Sequence, residues 1–403
     1  MSFFRKIKSI LSGNIIYSAS QFIILLIIVK FGTSYDLGIY TVVISIITPL
    51  SVFLGFQLRN QLAVDSSNSL EIRTVLRLRN ILNIILIIVS TFIYIFTNIT
   101  IVLVFALFKI IDSYLEIIYG LLLRDSKNHT MGRLLSVKSL INLFVFAFLY
   151  IFTNDLLLTM IVQMIVLVVL LVIFKKMNSY LFDNTNDRNN ENNIRTLLIK
   201  STPLAISALL ISLAPQIPRY FLGIFDSVEM VGIFSSLSYI IVVGTLFINS
   251  INSSFYNEYS KLIALGRYNI FIKQLIKNTG IYLILWILMC STIIIFNKNL
   301  LVIMFNEEFS DYYKELLIIA LSSIFLFIST LFINFTLFTK NYLYQLYIYL
   351  IVNITSIIIS YFLIDIYGIR GAAFSLGATY LVQLVVSFIF FVIIFRGRKN
   401  NET

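Results

Sequence analysis

The sequence predicts an all-α integral membrane protein of about 12 transmembrane helices, arranged as two six-helix lobes related by a pseudo-twofold repeat around a central cavity. Three observations predict this. Hydrophobic residues make up 59% of the 403-residue chain and charged residues 12%, where a soluble domain carries about 25% charged residues. The apolar residues fall in continuous runs near the ~20 residues that a bilayer-spanning helix needs, without the alternation of a membrane barrel strand. A ten-residue loop sequence also occurs twice at a constant offset.

Twelve runs have the required length, at roughly 12–30, 38–58, 80–97, 101–123, 135–152, 156–174, 201–222, 231–253, 275–296, 315–337, 343–364 and 371–395. Very short turns join the third to the fourth, the fifth to the sixth and the eleventh to the twelfth. Basic residues set the orientation, because cytoplasmic loops are enriched in Lys and Arg. With the N-terminus inside, 24 of the 30 basic residues fall in cytoplasmic segments, among them Arg59, Arg79 and Lys138. The other six are Lys30, Lys109, Arg219, Lys298, Lys314 and Arg370. Both termini are therefore expected in the cytoplasm, which requires an even helix count. The net charge of +11 reads as this topology signal and not as a nucleic-acid surface. The start, MSFFRKIKSILSGN, runs into the first span with no small-residue cleavage site.

The longest polar break is the Asn-rich 178–196. It divides the chain into an N-terminal lobe at 1–177, a cytoplasmic linker at 178–196 and a C-terminal lobe at 197–403. The repeat supports this division: FGTSYDLGIY at 31–40 aligns with FDSVEMVGIF at 225–234, offset by 194. Both copies follow the first helix of their half and run the same way, so the repeat is parallel, its axis along the membrane normal. Two such lobes imply a transporter with substrate held between them.

Several function classes are excluded. One cysteine, Cys290, builds no disulfide framework, and one histidine, His129, removes most metal and triad chemistry. No GxxxxGK[ST], HExxH or CxxC occurs. No cofactor is expected, and transport would draw on a proton or sodium gradient, the membrane potential or mass action. A membrane polymerase or glycosyltransferase would need a long outer loop with catalytic acids or arginines. The longest here, about 297–314, is short and half apolar.

Polar groups within spans are the candidate site. The fourth span carries Lys109, Asp112 and Glu116, which spacings of three and four place on one helical face. A charge at the bilayer centre costs about 2.5–3.5 kcal/mol on the insertion scale, so this face must meet a cavity or another helix. It reads either as a wall contacting substrate or a coupling ion, or as an ion cluster along the helix that tethers its neighbours. The charges within spans, Lys109 and Arg219 against Asp112 and Glu116, balance. The seventh span holds Pro203, Pro215 and Pro218, so a break is expected near Pro215 and Pro218. Arg219 follows it, placed either to line the pathway or to snorkel outward. Asn14, Ser18 and Gln21 form a polar stripe on the first span, suited to ligand contact or to interhelical hydrogen bonding. Arg59 and Asn60 read as an inner anchor, and Trp286 as part of the interfacial belt.

GNIIYSASQFIILLIIVKFGTSYDLGIY at 13–40, FQLRNQLAVD at 56–65, FKIIDSYLEIIYG at 108–120, PLAIS at 203–207, VGIFSSLSY at 231–239 and IYGIRGAAFS at 366–375 resemble Wzx-type O-antigen flippases. These form the polysaccharide-transporter branch of the multidrug/oligosaccharidyl-lipid/polysaccharide exporter superfamily. The resemblance implies alternating-access movement of an undecaprenyl-diphosphate-linked oligosaccharide from the cytoplasmic to the outer leaflet of a bacterial inner membrane. Membrane lipid is an implied partner, as are a polysaccharide polymerase and a chain-length regulator. Lys109, with Arg219 or Lys30, would meet phosphate oxygens; Asp112 or Glu116 could alternatively hold a coupling ion. The alternative is a cation-coupled multidrug/toxin-type exporter of the same fold.

Overall fold

A computed structural model describes residues 2–65, 70–182, 191–339 and 342–400, with the side chains of the first eleven residues and of scattered later ones left undescribed. The middle of the expected linker, 183–190, lies outside the described residues, as does Lys340. The described chain is helical: α1 Ser2–Phe31, α2 Ser34–Phe53, α3 Leu58–Val64, α4 Ile72–Thr97, α5 Ile101–Arg124, α6 Asn128–Thr153 and α7 Leu156–Met177. There follow α8 Glu191–Leu213, α9 Ile217–Phe225, α10 Val228–Ala264, α11 Tyr268–Phe296, α12 Lys298–Met304, α13 Tyr313–Phe338 and α14 Tyr342–Asn400.

Local chemistry sets the helix ends. Thr33 and Asp36 form a reciprocal capping box at the start of α2, and Ser227 caps α10, each satisfying an otherwise orphaned backbone N–H. These two caps occupy equivalent positions of the ten-residue repeat. So do Asp36 and Met230, and each receives a tyrosine hydroxyl from its own half, Tyr150 at 3.4 Å and Tyr312 at 3.5 Å. The tight turns after α4 and α6 use Asn98 and Asn154 in the left-handed region, which asparagine tolerates better than most residues.

Nine helices among the described residues are long and apolar enough to cross a bilayer. Three further crossings bring the total to about 12. α14 contains two, separated at Gly368, whose φ of 54° and ψ of −132° break the helix. The bent pair α8–α9 supplies another. The last is α5, 24 residues long, whose centre carries Lys109, Asp112 and Glu116. The charges that mark the candidate site are what lower its apolarity.

By packing, residues 1–212 form one unit and 213–403 a second. That boundary lies within the seventh span, not at the polar break: Leu197 and Ala205 of α8 join the first unit's core, and Gln61 hydrogen-bonds Ser201. In the first unit α5 is the buried axis, touching α2, α3, α4, α6 and α7. Its residues Leu115, Ile117, Ile118, Tyr119, Leu121 and Leu122 are each at most 1% exposed.

In the second unit α13 packs on α10, α11 and α14. Phe335 of α13 packs among Phe271, Phe391 and Phe395 with tilted and edge-to-face rings. Buried hydrogen bonds tie α10 to α11, from Tyr282 to Asn252 and from Asn278 to Tyr259. Trp286, expected in the interfacial belt, donates to the Ala320 carbonyl at 3.0 Å, joining α11 to α13.

Candidate functional site

The site is built on α5 in the first unit. Asp112 receives a hydrogen bond of 2.6 Å from Lys138 of α6, and both side chains are withdrawn from solvent, at 14% and 3% exposure. One turn on, Glu116 accepts from Arg59 of α3 at 2.9 Å, with both side chains part-buried. Arg59 reaches it because the chain turns sharply after α2. Phe56 and Gln57 take left-handed φ values of 45° and 51°, a conformation that costs a non-glycine residue about 1–3 kcal/mol. The buried ring of Tyr119 lies between the two pairs, with Arg59 and Lys138 5.8 Å and 5.7 Å from its centroid.

Beside the Asp112–Lys138 pair is a cavity of about 30 Å³, lined by Tyr17, Gln21, Lys109, Ser139, Asn142 and Gln163 among others. It has room for about two water molecules. Asn142, 4% exposed, has a buried side-chain oxygen with no hydrogen-bond partner among the described residues, and Gln163 donates to its backbone carbonyl at 3.0 Å. Lys109 has no carboxylate within 4.0 Å among the described residues; its ammonium lies 5.2 Å from the centroid of Phe105.

These contacts correct the sequence expectations in four respects. The charges of α5 do not pair along their own helix; their partners come from α6 and α3. Lys138, assigned to a cytoplasmic segment, is a buried partner of Asp112. Arg59 is an ion-pair partner of Glu116 in addition to ending a span. The balance of charge also changes, because Arg79, 5% exposed and donating to the Leu54 carbonyl at 3.3 Å, interacts electrostatically with both acids. Arg59, Arg79, Lys109 and Lys138 face Asp112 and Glu116, so the cluster is cationic.

Of the remaining candidates, the two on α1 differ in their relation to this cavity. Gln21 lines it, whereas Asn14 is exposed on α1. The two share a helical face, but seven residues separate them by about 10 Å along the axis, which puts Asn14 at another level. Pro215 lies in the turn between α8 and α9, and Pro218 in the first turn of α9. Arg219, in the second unit, donates to the Gln216 side chain at 2.7 Å.

No family model matches the chain. It is 28% identical over 393 residues to the capsular polysaccharide biosynthesis protein CapF of Staphylococcus aureus, covering 95% of this chain and 98% of that one. Its fold matches an inward-facing multidrug resistance MATE family transporter of the MOP superfamily at a TM-score of 0.75, with 11% identity, over 98% of this chain and 100% of the other. It also matches the lipid II flippase MurJ in an inward closed conformation at 0.76, with 14% identity, over 94% and 86%. The resemblance read from the sequence therefore holds: the chain is a multi-pass helical membrane protein with the MOP-superfamily fold, similar along nearly its whole length to a capsular polysaccharide biosynthesis protein.

Proposed function

We propose that the protein is a flippase that carries an undecaprenyl-diphosphate-linked oligosaccharide, the repeat unit of a capsule-type or other surface polysaccharide, to the outer leaflet of the cytoplasmic membrane. The likeness to CapF and the fold shared with MurJ support the substrate class. The observation that carries the reading is the cation excess gathered around α5, from Lys109 together with Arg59, Arg79 and Lys138 of neighbouring helices. A diphosphate and its sugars cannot cross hydrocarbon unsolvated, and a cluster whose acids are already paired leaves Lys109 for phosphate oxygens. In this reading both termini are cytoplasmic, the lipid tail stays in the bilayer, and a polymerase and chain-length regulator receive the product outside. A negative-inside potential favours outward movement of the anion by about 2.3 kcal/mol per charge per 100 mV.

The same pairing weighs against the cation-coupled exporter, whose fold the chain also shares. A proton or sodium ion binding at Asp112 would have to displace Lys138, and one binding at Glu116 would have to displace Arg59. Deletion of the gene tests the two readings. Loss of surface polymer with lipid-linked repeat units retained on the cytoplasmic leaflet is expected. Normal polymer in a strain with no second flippase, together with altered drug sensitivity, would favour the exporter.

A further inference from the structure

We propose that the end of α7 and the turn that follows it form a docking surface for the headgroups of anionic phospholipids, separate from the α5 site. Only the leaflet, the cytoplasmic one, rests on the orientation in the flippase reading; the binding does not. The surface is built on a short 3-10 turn, Ser179–Phe182. Leu181, 3% exposed, is buried in the first unit's core, and the Asn178 side chain donates to the Phe174 carbonyl at 2.8 Å. The turn is thereby fixed against the end of α7, with two of its rings beside lysines. The Lys127 ammonium, from the connection between α5 and α6, lies 3.8 Å from the Tyr180 centroid, and that of Lys175 lies 5.7 Å from the Phe182 centroid. A ring face attracts a cation, so the turn gathers lysines that would otherwise repel one another.

Arg124, Lys127, Lys175 and Lys176 thus meet at one end of the first unit. Among the described residues Asp125 is the one carboxylate within 4.0 Å of any of them, 3.9 Å from both Arg124 and Lys127, which is too far for a hydrogen bond. Four cations against one acid leave an excess of positive charge, and the buried Arg124 Nε has no hydrogen-bond partner among the described residues. The borders of the patch identify what covers it. Val169, Val172 and Ile173 of α7 are exposed just before the lysines, and Met177, 66% exposed, comes just after them. This end of the helix therefore passes from a hydrocarbon-facing surface into a cluster of cations, as a chain does on entering the headgroup layer. A soluble anion would match the charge but leave Met177 and the exposed Tyr180 uncovered. Anionic phospholipid meets both, because basic segments beside a bilayer are drawn to its negative surface.

The test is binding of a fluorescent phosphatidylglycerol to the purified full-length protein in neutral detergent. Unlabelled phosphatidylglycerol should displace the probe, whereas phosphatidylcholine and inorganic phosphate should not. Lys127→Gln/Lys175→Gln/Lys176→Gln should weaken binding on the order of a hundredfold, about fivefold for each basic residue near an anionic surface. Lys127→Arg/Lys175→Arg/Lys176→Arg should retain it. Lys261→Gln/Lys273→Gln/Lys277→Gln removes the same charge from exposed positions of the second unit and should change the affinity little. Equal loss in the two glutamine triples would reduce the effect to net charge and overturn the site. Displacement by phosphatidylcholine or by inorganic phosphate as readily as by phosphatidylglycerol would overturn the assignment to anionic lipid, as would a wild type that binds none. None of these results bears on whether sugar is carried across the membrane.

Discussion

Lys138→Met alone is expected to reduce folded protein sharply, because it leaves the Asp112 carboxylate buried without a counter-charge. Removing one partner of a buried pair costs about 3–5 kcal/mol, a large share of the roughly 5–15 kcal/mol that holds a typical domain together. The amount surviving detergent extraction, and its melting temperature, should both fall. The double change Lys138→Met/Asp112→Leu should recover them, since an apolar pair of similar volume is often neutral or stabilising where a buried ion pair stood. Lys109→Met/Asp112→Leu should not, because it removes the acid and strands Lys138, 2% exposed. Folded but inactive protein from the first double variant is the expected outcome, as the cavity beside Gln21, Asn142 and Gln163 then keeps Lys109 but loses the Asp112 and Lys138 charges that line it. Full transport by that variant would show the pair to be a tether and nothing more.

Gly371→Ala should be the most damaging single-methyl addition in the second unit. An added Cβ would stand 1.9 Å from the Leu363 carbonyl oxygen and 2.5 Å from its carbon, both backbone atoms in the preceding half of α14. Neither can rotate away, so the hairpin at Gly368 must open, and Glu315 would part from Arg370, now 3.0 Å away. Overpacking typically costs about 1–3 kcal/mol, with more where backbone must move. Gly280→Ala is the control: nothing lies within 4 Å of its added Cβ, and replacing a helical glycine by alanine stabilises by roughly 0.5–1 kcal/mol. Melting temperatures of the two variants should therefore move in opposite directions. Equal stability would contradict the hairpin geometry.

The spans were legible in the sequence because apolar length is a one-dimensional property that the bilayer reads directly. The repeat was legible because helix caps need particular side chains: Thr33 and Ser227 sit at one register in both halves and do the same work. The place of Asp112 midway along its helix was legible too. Its partner was not. Lys138 lies about ten residues into α6, where the sequence reads as the margin of a basic loop, and only the packing of α6 on α5 shows the pairing. Arg59 was hidden by the turn at Phe56 and Gln57, which no residue pattern announces. Helical periodicity put Asn14 and Gln21 on one face, but it says nothing about which level of that face meets a cavity.

The central claim is that the cationic first unit serves a diphosphate-linked lipid without a coupling cation at Asp112 or Glu116. The most direct measurement reconstitutes the purified protein in liposomes carrying a polyprenyl-diphosphate oligosaccharide in the inner leaflet. Arrival of sugar at the outer leaflet is followed with a lectin that cannot cross the bilayer. The expected result is appearance of sugar outside that quickens with a negative-inside potential and does not change when a sodium or proton gradient is added or collapsed. Failure of the sugar to appear, or appearance only with an imposed cation gradient, would contradict it.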